Sequence, residues 1–560
     1  MMKKIFMMAA LALTIVACST DDTDIQTPTE QPTEQPSKAE GIPFTATISI
    51  GESATTRALS ENGTKIETSW ADGEKVALIY KVGETSYNTE ATVTKQTDNT
   101  ATISATLQTG ATNGSEVVII YPSTAADGTT GNVKSDLLYA QNGLLTGTNS
   151  ISEKYDVRKG TGNLSIGGGK ATVNNGTPGT TVALTNQFAI FKFTTKNYDA
   201  SATINVSPLT ITIGTQDYVI TPASATSELY VALPAVSSQT VSFSGTVGSM
   251  PYLCSKTGIS FDAGKFYQST LKMLPQGAIP GKYTINSFGK KVYFSQGNLQ
   301  AVCTSADNDK YTKETFTWQF ATNQWDHIGD AAANTKINGK GSVSENGTVD
   351  LFGWTVSDLN CYGIINSNNY DDYGIFSSDE LYDWGKLAIT NGGNIANSGW
   401  RTLSKNEWDN LFTYPYRGST VNGTNYARYT YATINTDGTG VNGIILFPDD
   451  VTFAGSEATW GTINNKSSWE TKCSTAQWTA LAAKGCVFLP LTGYRESHNN
   501  DSRVYNLSYG YYWSSSSYDN GGITDYRYAY CVNFYVNGFS TAKQKQRYYG
   551  MSVRLVRDAE

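Results

Sequence analysis

Stretches that alternate apolar and polar residues recur through the first half of the chain. Alternation with a period of two is typical of strands that bury one face. Asn-Gly, Asp-Gly and Gly-Gly pairs, which favour tight turns, separate many of these stretches. The pattern predicts strands over 44–50, 76–80, 100–107, 117–121, 188–193, 209–213, 229–233 and 240–243. We expect two stacked β-sandwiches, with a boundary near residues 150–175, where Gly and Ser cluster.

Helical patterns are few and lie in the second half of the chain. The best helix candidate covers 400–412, where Ser404 and Glu407 have the S-x-x-E spacing of a capping box. Trp408, Leu411 and Phe412 would share its buried face. A short second helix is predicted over 478–483. The apolar runs 443–448, 487–489 and 553–556 predict buried strands.

Composition supports a mainly β chain and argues against several classes of function. Charged residues make up 16% of the 560 residues and aromatic residues 12%, with 52 glycines. The formal net charge of −8 gives no reason to expect nucleic acid or an anionic membrane surface as a partner. The two histidines, His327 and His498, argue against His-based catalysis or a His-rich metal site. We therefore expect no enzyme, no cofactor and no metal.

The N-terminus predicts export and anchoring. Two lysines precede an apolar run over 5–16, which has the length of a signal-peptide core and is too short to span a bilayer. The run ends in Ile-Val-Ala-Cys18, which resembles the bacterial lipobox. The resemblance implies cleavage of residues 1–17 and acylation of Cys18, hence an outer-membrane lipoprotein exposed at the cell surface. Residues 18–40, rich in Thr, Pro and Glu, predict a solvated tether.

Residues 41–274 carry three landmarks of a known family. Ser-Trp-Ala-Asp-Gly-Glu-Lys-Val at 69–76, Tyr-Pro at 121–122 and Ala-Gly-Lys-Phe-Tyr at 263–267 resemble motifs of fimbrillin-like surface lipoproteins. The resemblance implies two transthyretin-like sandwiches and a role as a pilus subunit or pilus-derived surface protein. In pilus-forming members a trypsin-like protease cuts after an arginine near the N-terminus, and a partner subunit then donates a strand to the open groove. Arg57 lies where that cut would fall, although an ordinary loop arginine is an equally good interpretation.

A linker is predicted over 275–282. Residues 283–560 differ in composition from the preceding region and hold most of the tryptophans. Five segments resemble the bacterial C-type-lectin-like fold of the major paralogous surface lipoproteins and of formylglycine-generating enzymes. They are Gly-Trp-Arg-Thr-Leu-Ser at 399–404, Ile-Leu-Phe-Pro-Asp at 445–449, Leu-Pro-Leu-Thr-Gly-Tyr-Arg at 489–495, Tyr-Trp-Ser-Ser-Ser at 512–516 and Tyr-Gly-Met-Ser-Val-Arg-Leu-Val at 549–556. The resemblance implies an α+β domain, so the fold class expected for the whole chain is mainly β with an α+β lectin-like end.

Residues 283–560 lack motifs that the sugar-binding and enzymatic members of the lectin-like fold use. The Glu-Pro-Asn triplet that binds calcium in true C-type lectins is missing from the sequence, and Trp513 is followed by serines. Cys486 and Cys531 could form the reactive pair of an oxidase, but their surroundings do not match that family and are not electropositive. Apart from Cys18 there are six cysteines, of which Cys473 and Cys486 form a plausible disulfide; free buried thiols are an equal alternative.

The segment from 505 to 549 contains eleven tyrosines, interspersed with Ser, Asn, Asp and Gly. Antibody paratopes use the same residues, because tyrosine offers a large amphipathic contact area at low entropic cost. The segment also resembles the variable region of retroelement-diversified lectin-fold proteins. In 532–537 the alternation predicts that Val532, Phe534 and Val536 pack inward and their neighbours face a ligand. The predicted contact residues are Tyr509, Tyr511, Tyr518, Asp519, Asn520, Tyr526, Tyr528, Asn533, Tyr535 and Asn537.

Together these features predict a surface-anchored adhesin or pilus-tip lipoprotein whose lectin-like head binds a carbohydrate or protein on a host or microbial surface. A tip position is favoured because only Asp558, Ala559 and Glu560 lie beyond the core strand that ends the head, so no C-terminal donor strand remains. Two alternatives stay open. One is a structural pilus or envelope subunit with an inert head, and the other is an enzyme on the formylglycine-generating-enzyme-like fold. An ordinary β-rich loop region would also explain the tyrosines.

Overall fold

A computed structural model gives the fold of most of the chain. The residues it describes are 41–50, 60–62, 65–67, 69–174, 181–303, 316–326, 332–337, 343, 347–355, 360–374, 382–413, 417–465, 468–498, 501–520 and 523–559. The predictions for the signal peptide, Cys18, the tether and Arg57 lie outside these residues. The described part is mainly β, as expected.

The first body is an eight-stranded sheet that closes on itself. Strand β1 pairs antiparallel with β6 and parallel with both β10 and β11, which joins the two ends of the strand order β10-β1-β11-β9-β7-β4-β5-β6. Phe44, Ala46, Ile48 and Ile50 alternate into its core, which confirms the period-two pattern. The strands up to residue 186 are β1 (Ile42–Ile50), β2 (Ser60–Asn62), β3 (Lys65–Glu67), β4 (Lys75–Val82), β5 (Thr85–Lys95), β6 (Thr100–Leu107), β7 (Glu116–Tyr121), β8 (Ala140–Gln141), β9 (Arg158–Gly167), β10 (Lys170–Asn174) and β11 (Val182–Asn186).

The second body is another eight-stranded sheet, in the order β15-β12-β18-β17-β16-β13-β14-β8. Its last strand, β8, comes from the chain of the first body. The Gln141 side chain secures it by exchanging hydrogen bonds of 2.8 and 2.9 Å with the backbone of Ala232. The remaining strands are β12 (Phe188–Asn197), β13 (Leu209–Ile213), β14 (Gln216–Ile220), β15 (Glu228–Pro234), β16 (Val236–Val247), β17 (Met250–Phe261) and β18 (Phe266–Pro275).

Two predicted boundaries differ from the structure. The Gly-rich region 150–175 holds β9 and β10 of the first sheet, so the boundary lies at Gln187, between β11 and β12. The glycines there belong to strands and the turn between them rather than to a linker. The expected linker 275–282 is likewise structured, because a tight turn joins β18 directly to the next strand, which starts at Ala278.

The third region contains several small sheets and three short helices. Its helices are α1 (Asn360–Gly363), a single turn in which Cys361 and Tyr362 have left-handed φ of 51° and 56°, α2 (Lys405–Thr413) and α3 (Thr475–Ala483). Its strands are β19 (Ala278–Thr284), β20 (Lys291–Ser295), β21 (Leu299–Cys303), β22 (Phe316–Phe320), β23 (Gly347–Val349), β24 (Trp400–Thr402), β25 (Ser419–Val421), β26 (Thr424–Ala427), β27 (Tyr429–Ile434), β28 (Val441–Leu446), β29 (Thr452–Phe453), β30 (Thr471–Lys472), β31 (Val487–Pro490), β32 (Tyr494–His498), β33 (Asp501–Tyr505), β34 (Tyr509–Asn520), β35 (Ile523–Tyr535), β36 (Gly538–Gln546) and β37 (Leu555–Asp558).

Capping boxes set the starts of both longer helices. The Ser404 hydroxyl accepts from the Glu407 amide at 3.2 Å, and the Glu407 carboxylate accepts from the Ser404 amide at 2.9 Å. This confirms the predicted box, although residues 400–402 form strand β24 rather than the first turn of the helix. Ser474 and Gln477 make the same reciprocal pair at α3. Trp408, Leu411 and Phe412 are buried, as predicted.

Candidate ligand-binding surface

The tyrosine-rich segment folds into a three-stranded antiparallel sheet, β34-β35-β36. The register runs from Tyr509 opposite Tyr535 to Asn520 opposite Ile523, with irregularities on either side of Ser517. At its base both faces are covered. Tyr512, Val532 and Phe534 pack into one core, while Trp513 and Cys531 pack into another. The sheet is therefore a rigid support whose free surface is limited to its rim and its distal half.

Most of the predicted contact residues reach this free surface. Tyr526 is 43% exposed and Tyr535 is 38% exposed. Asp519 and Asn537 are exposed, and Tyr509, Tyr518 and Tyr528 are half-buried. Asn520 lies at the end of β34, but its side chain falls outside the described residues.

Two predicted contact residues, Tyr511 and Asn533, are instead buried. They face each other across β34 and β35, and the Tyr494 ring lies edge-on to Tyr511 at 5.4 Å. Strand alternation puts Asn533 on the face opposite Phe534, but Tyr494 of β32 packs against Tyr511 on that face, so facing away from one core does not mean facing solvent. Val536, expected in the core, is 42% exposed because β35 ends one residue earlier and Asn537 turns the chain with a φ of 63°.

An outer group of aromatic rings covers the distal half of the sheet. Tyr518 contacts Tyr528 at 6.0 Å and Tyr530 at 5.4 Å, both edge-to-face. Tyr370, from a separate 3₁₀ turn over Tyr370–Tyr373, lies edge-on to Tyr526 at 6.5 Å. Rings that contact one another have little freedom to lose on binding. Tyr370 and Tyr530 were not predicted, and only the alternation of tyrosines along β35 could have indicated Tyr530.

A second group of rings surrounds Lys545 at the end of β36. The ammonium nitrogen lies 5.0, 5.1 and 5.2 Å from the ring centres of Tyr494, Tyr511 and Tyr549. These distances are within the range of cation–π attraction. Burial lowers the pKa of Lys545, as does Lys543, while Cys531 and Glu496 raise it. Sequence reasoning missed this cluster, because its four members come from segments up to 55 positions apart and meet only through the sheet.

Three fully buried arginines hold the support beneath these rings. Arg547 donates to the carbonyls of Trp354 at 3.0 Å, Gly374 at 2.8 Å and Tyr526 at 2.9 Å, and also to that of Tyr373. Arg495 donates to the Ile365 carbonyl at 2.9 Å, and Arg554 to the Gln324 side chain at 2.8 Å. Burial lowers the pKa of each guanidinium to about 10, so all three remain charged at neutral pH.

The described cysteines do not form the reactive pair considered for an oxidase. Cys254, Cys473, Cys486 and Cys531 are free, Cys254 being half-buried and the other three buried. Burial raises the pKa of Cys473 and Cys531 to about 12 and that of Cys486 well above its usual value, which keeps these thiols protonated. Within the described ranges, no three His, Cys, Asp or Glu side chains group as metal ligands. The same ranges hold no helix with the length and hydropathy needed to cross a membrane.

Comparison with known proteins gives a short family match in this region and longer matches to solved structures. A family described as a domain of unknown function (DUF8237) matches residues 428–556. Curated protein sequences give no match. The chain is similar to the structure of a fimbrial assembly protein from Parabacteroides distasonis ATCC 8503, with 12% identity, coverage of 45% of this chain and 93% of that chain, and a TM-score of 0.24.

Two further similar structures are candidate cell adhesion proteins. The one from Bacteroides eggerthii DSM 20697 is 14% identical, covers 41% of this chain and 85% of its own, and has a TM-score of 0.22. The one from Bacteroides fragilis NCTC 9343 is 14% identical, covers 42% and 97%, and has a TM-score of 0.24. The similar solved structures are thus cell adhesion and fimbrial proteins. At this degree of likeness they carry no argument about a ligand.

Proposed function

We propose that this protein is a surface-anchored adhesin, tethered through a lipid on Cys18, that binds a ligand through the rim and distal half of sheet β34-β35-β36. The observation that carries the proposal is the presentation of tyrosines on a support buried on both faces. Tyr526 and Tyr535 are the most exposed of them, and Asp519 near the end of β34 and Asn537 just after β35 are exposed as well.

The physical argument concerns entropy. Tyrosine has few rotatable bonds, and here most rings already touch another ring, as Tyr509 does Tyr535 at 4.9 Å. Little freedom is lost when such a surface meets a partner, so more of the contact energy appears as affinity. Exposed aromatic side chains in a polar surround are also enriched among the residues that dominate binding energy. An inert structural face gains nothing from several partly exposed rings on one sheet.

The test is a screen of glycans and of host and microbial surface proteins with the full chain, followed by two substitutions. Tyr526→Ala and Tyr535→Ala should each weaken binding about tenfold or more while leaving the melting temperature unchanged. Tyr198→Ala is the matched control, because Tyr198 is 39% exposed and lies in the second body. Equal affinity of all three variants and wild type for every ligand found would refute the proposal, and so would the absence of any ligand.

Assembly through strand exchange is a second candidate function, and the position of β1 favours it. This strand pairs with β6 over eight residues and also borders β10 and β11. A cut after Arg57 would detach it from the rest of the chain. The groove left behind would have unpaired edges and empty sites for Phe44, Ala46, Ile48 and Ile50, which a donor strand from another subunit could fill.

Limited proteolysis tests this second candidate. A trypsin-like protease should release a fragment beginning at Ala58, and the cut chain should bind a synthetic peptide of residues 42–50. Arg57→Gln should prevent the cut and the binding. A peptide in which Ile48 is replaced by Asp is the matched control, because a charge at this fully buried position should abolish binding. If the cut chain binds neither peptide, strand exchange is excluded.

A further inference from the structure

The side chain of Lys545 occupies a cage formed by Tyr494, Tyr511 and Tyr549, with ring centres 5.0 to 5.2 Å from its nitrogen. The three rings come from β32, β34 and the segment after β36. Lys545 is half-buried, and among the described residues none of the ion pairs within 4.0 Å involves it. The ammonium group is thus held in place by ring faces, which leave its hydrogen-bond donors without an anionic partner.

The charges around the cage are mostly positive. Lys543 lies two residues earlier on β36, so it points to the same face of the sheet as Lys545, and it is exposed. The neutral Cys531 thiol lies below them. The carboxylate of Glu496 on β32 raises the pKa of Lys545. This effect is smaller than the lowering of that pKa by burial and the lowering by Lys543. Among the described residues, an anion that approached this face would therefore meet Lys543 and Lys545, with Glu496 as the acid that acts on Lys545.

A row of tyrosine rings leads from the cage to the exposed rim. Tyr509 stacks on Tyr511 with 6.0 Å between ring centres and 17° between planes. Tyr535 follows at 4.9 Å and 35° from Tyr509. Ring faces pack against the C–H faces of sugars, whose hydroxyls remain free to bind neighbouring polar groups. Tyr511 belongs to both the row and the cage, so the row of rings connects the rim with Lys545.

We infer that the ligand of this surface is an anionic carbohydrate whose sugar rings stack on Tyr509 and Tyr535 and whose acid group pairs with Lys545 and Lys543. The inference rests on the proposed adhesin function and specifies its ligand class. A carboxylate or sulfate group gains charge-assisted hydrogen bonds from an ammonium that is already oriented. Acidic peptides share the charge but lack the C–H faces that a row of tyrosines fits.

Calorimetric titration of the full chain tests the inference. The probes are an oligogalacturonate, 3′-sialyllactose and a sulfated heparin oligosaccharide, each beside its neutral counterpart, so that the arms identify the source of the acid group. Wild type should bind at least one acidic probe about tenfold more tightly than its neutral partner, a difference of about 1.4 kcal/mol. Lys545→Met should remove this preference, and Lys545→Arg should keep part of it. Lys472→Met, on β30, is the control and should change nothing.

Melting curves separate binding from folding. If Lys545→Met lowers the melting temperature, the exposed Lys543→Met takes its place as the test and should reduce the acidic preference at unchanged stability. Binding of neutral glycans or acidic peptides that depends on Tyr535 but not on either lysine would overturn the inference and leave the adhesin function standing. Binding that depends on neither tyrosine nor lysine would overturn both.

Discussion

Arg547 offers the sharpest test of the claim that a buried support orients the tyrosines. Its guanidinium donates to four backbone carbonyls from three separate segments and lies over the Trp354 ring at 5.2 Å. One of these carbonyls belongs to Tyr526, the most exposed ring of the surface among the predicted contacts. We predict that Arg547→Met, which keeps an unbranched apolar stem and removes the guanidinium with its donors, destabilises the third region and displaces Tyr526.

The magnitude follows from the hydrogen bonds that this substitution removes. A hydrogen bond from a charged donor contributes about 1.5–3 kcal/mol net, and a buried carbonyl left without a partner costs about 1–3 kcal/mol. Removal of the charge also removes the cost of having buried it, which offsets part of this sum. We therefore expect the free energy of unfolding to fall by about 3–5 kcal/mol. For a region of this size each kcal/mol lowers the melting temperature by about 2–4 °C, so the shift should be roughly 6–20 °C.

Differential scanning fluorimetry measures the shift, and hydrogen exchange at the amides around Tyr526 and Gly374 localises it. Arg527→Met is the matched control, because Arg527 lies on the neighbouring strand, is exposed, and pairs only locally with Asp525 at 2.6 Å. It should leave the melting temperature where it was. If Arg547→Met melted within about 2 °C of wild type, the carbonyl network would not support the surface and the reasoning would fail.

Three further predictions concern other parts of the chain. Ser404→Ala should destabilise the third region by about 1 kcal/mol in thermal melts, since it removes one half of the capping box, and Ser404→Asp should restore most of the loss. Burial raises the pKa of Glu74 from its usual 4.5 to about 7, so between these pH values the native state holds a proton that the unfolded chain has lost. Stability should then fall as pH rises from 4.5 to 7, and Glu74→Gln should flatten this slope in urea titrations. In native protein a thiol reagent should label Cys254 before Cys531, and Cys254, Cys473, Cys486 and Cys531 should all react after denaturation; protection of any two of these in denaturant would indicate a disulfide.

The strands were predictable because one short-range rule governs them. Each predicted segment of the first two bodies falls within a strand, from 44–50 in β1 to 240–243 in β16. Their alternation reflects one buried face, which the sequence records directly. The boundary near 150–175 was wrong for a complementary reason. Glycine marks both turns within a sheet and gaps between bodies, and composition alone does not distinguish a hairpin such as β9-β10 from a linker.

The candidate surface shows where alternation stops being informative. Along β35 the pattern separates Val532 and Phe534 from Asn533 and Tyr535, and the structure agrees that these are two faces. Sequence cannot tell that Tyr494 of β32 packs on one of those faces at Tyr511, opposite the buried Asn533, while Tyr535 on the same face is exposed. Coverage depends on a strand some forty positions away, and so does the cage around Lys545. A binding surface on a sheet with two covered faces is therefore defined by the places where its cover ends, which only the tertiary structure reveals.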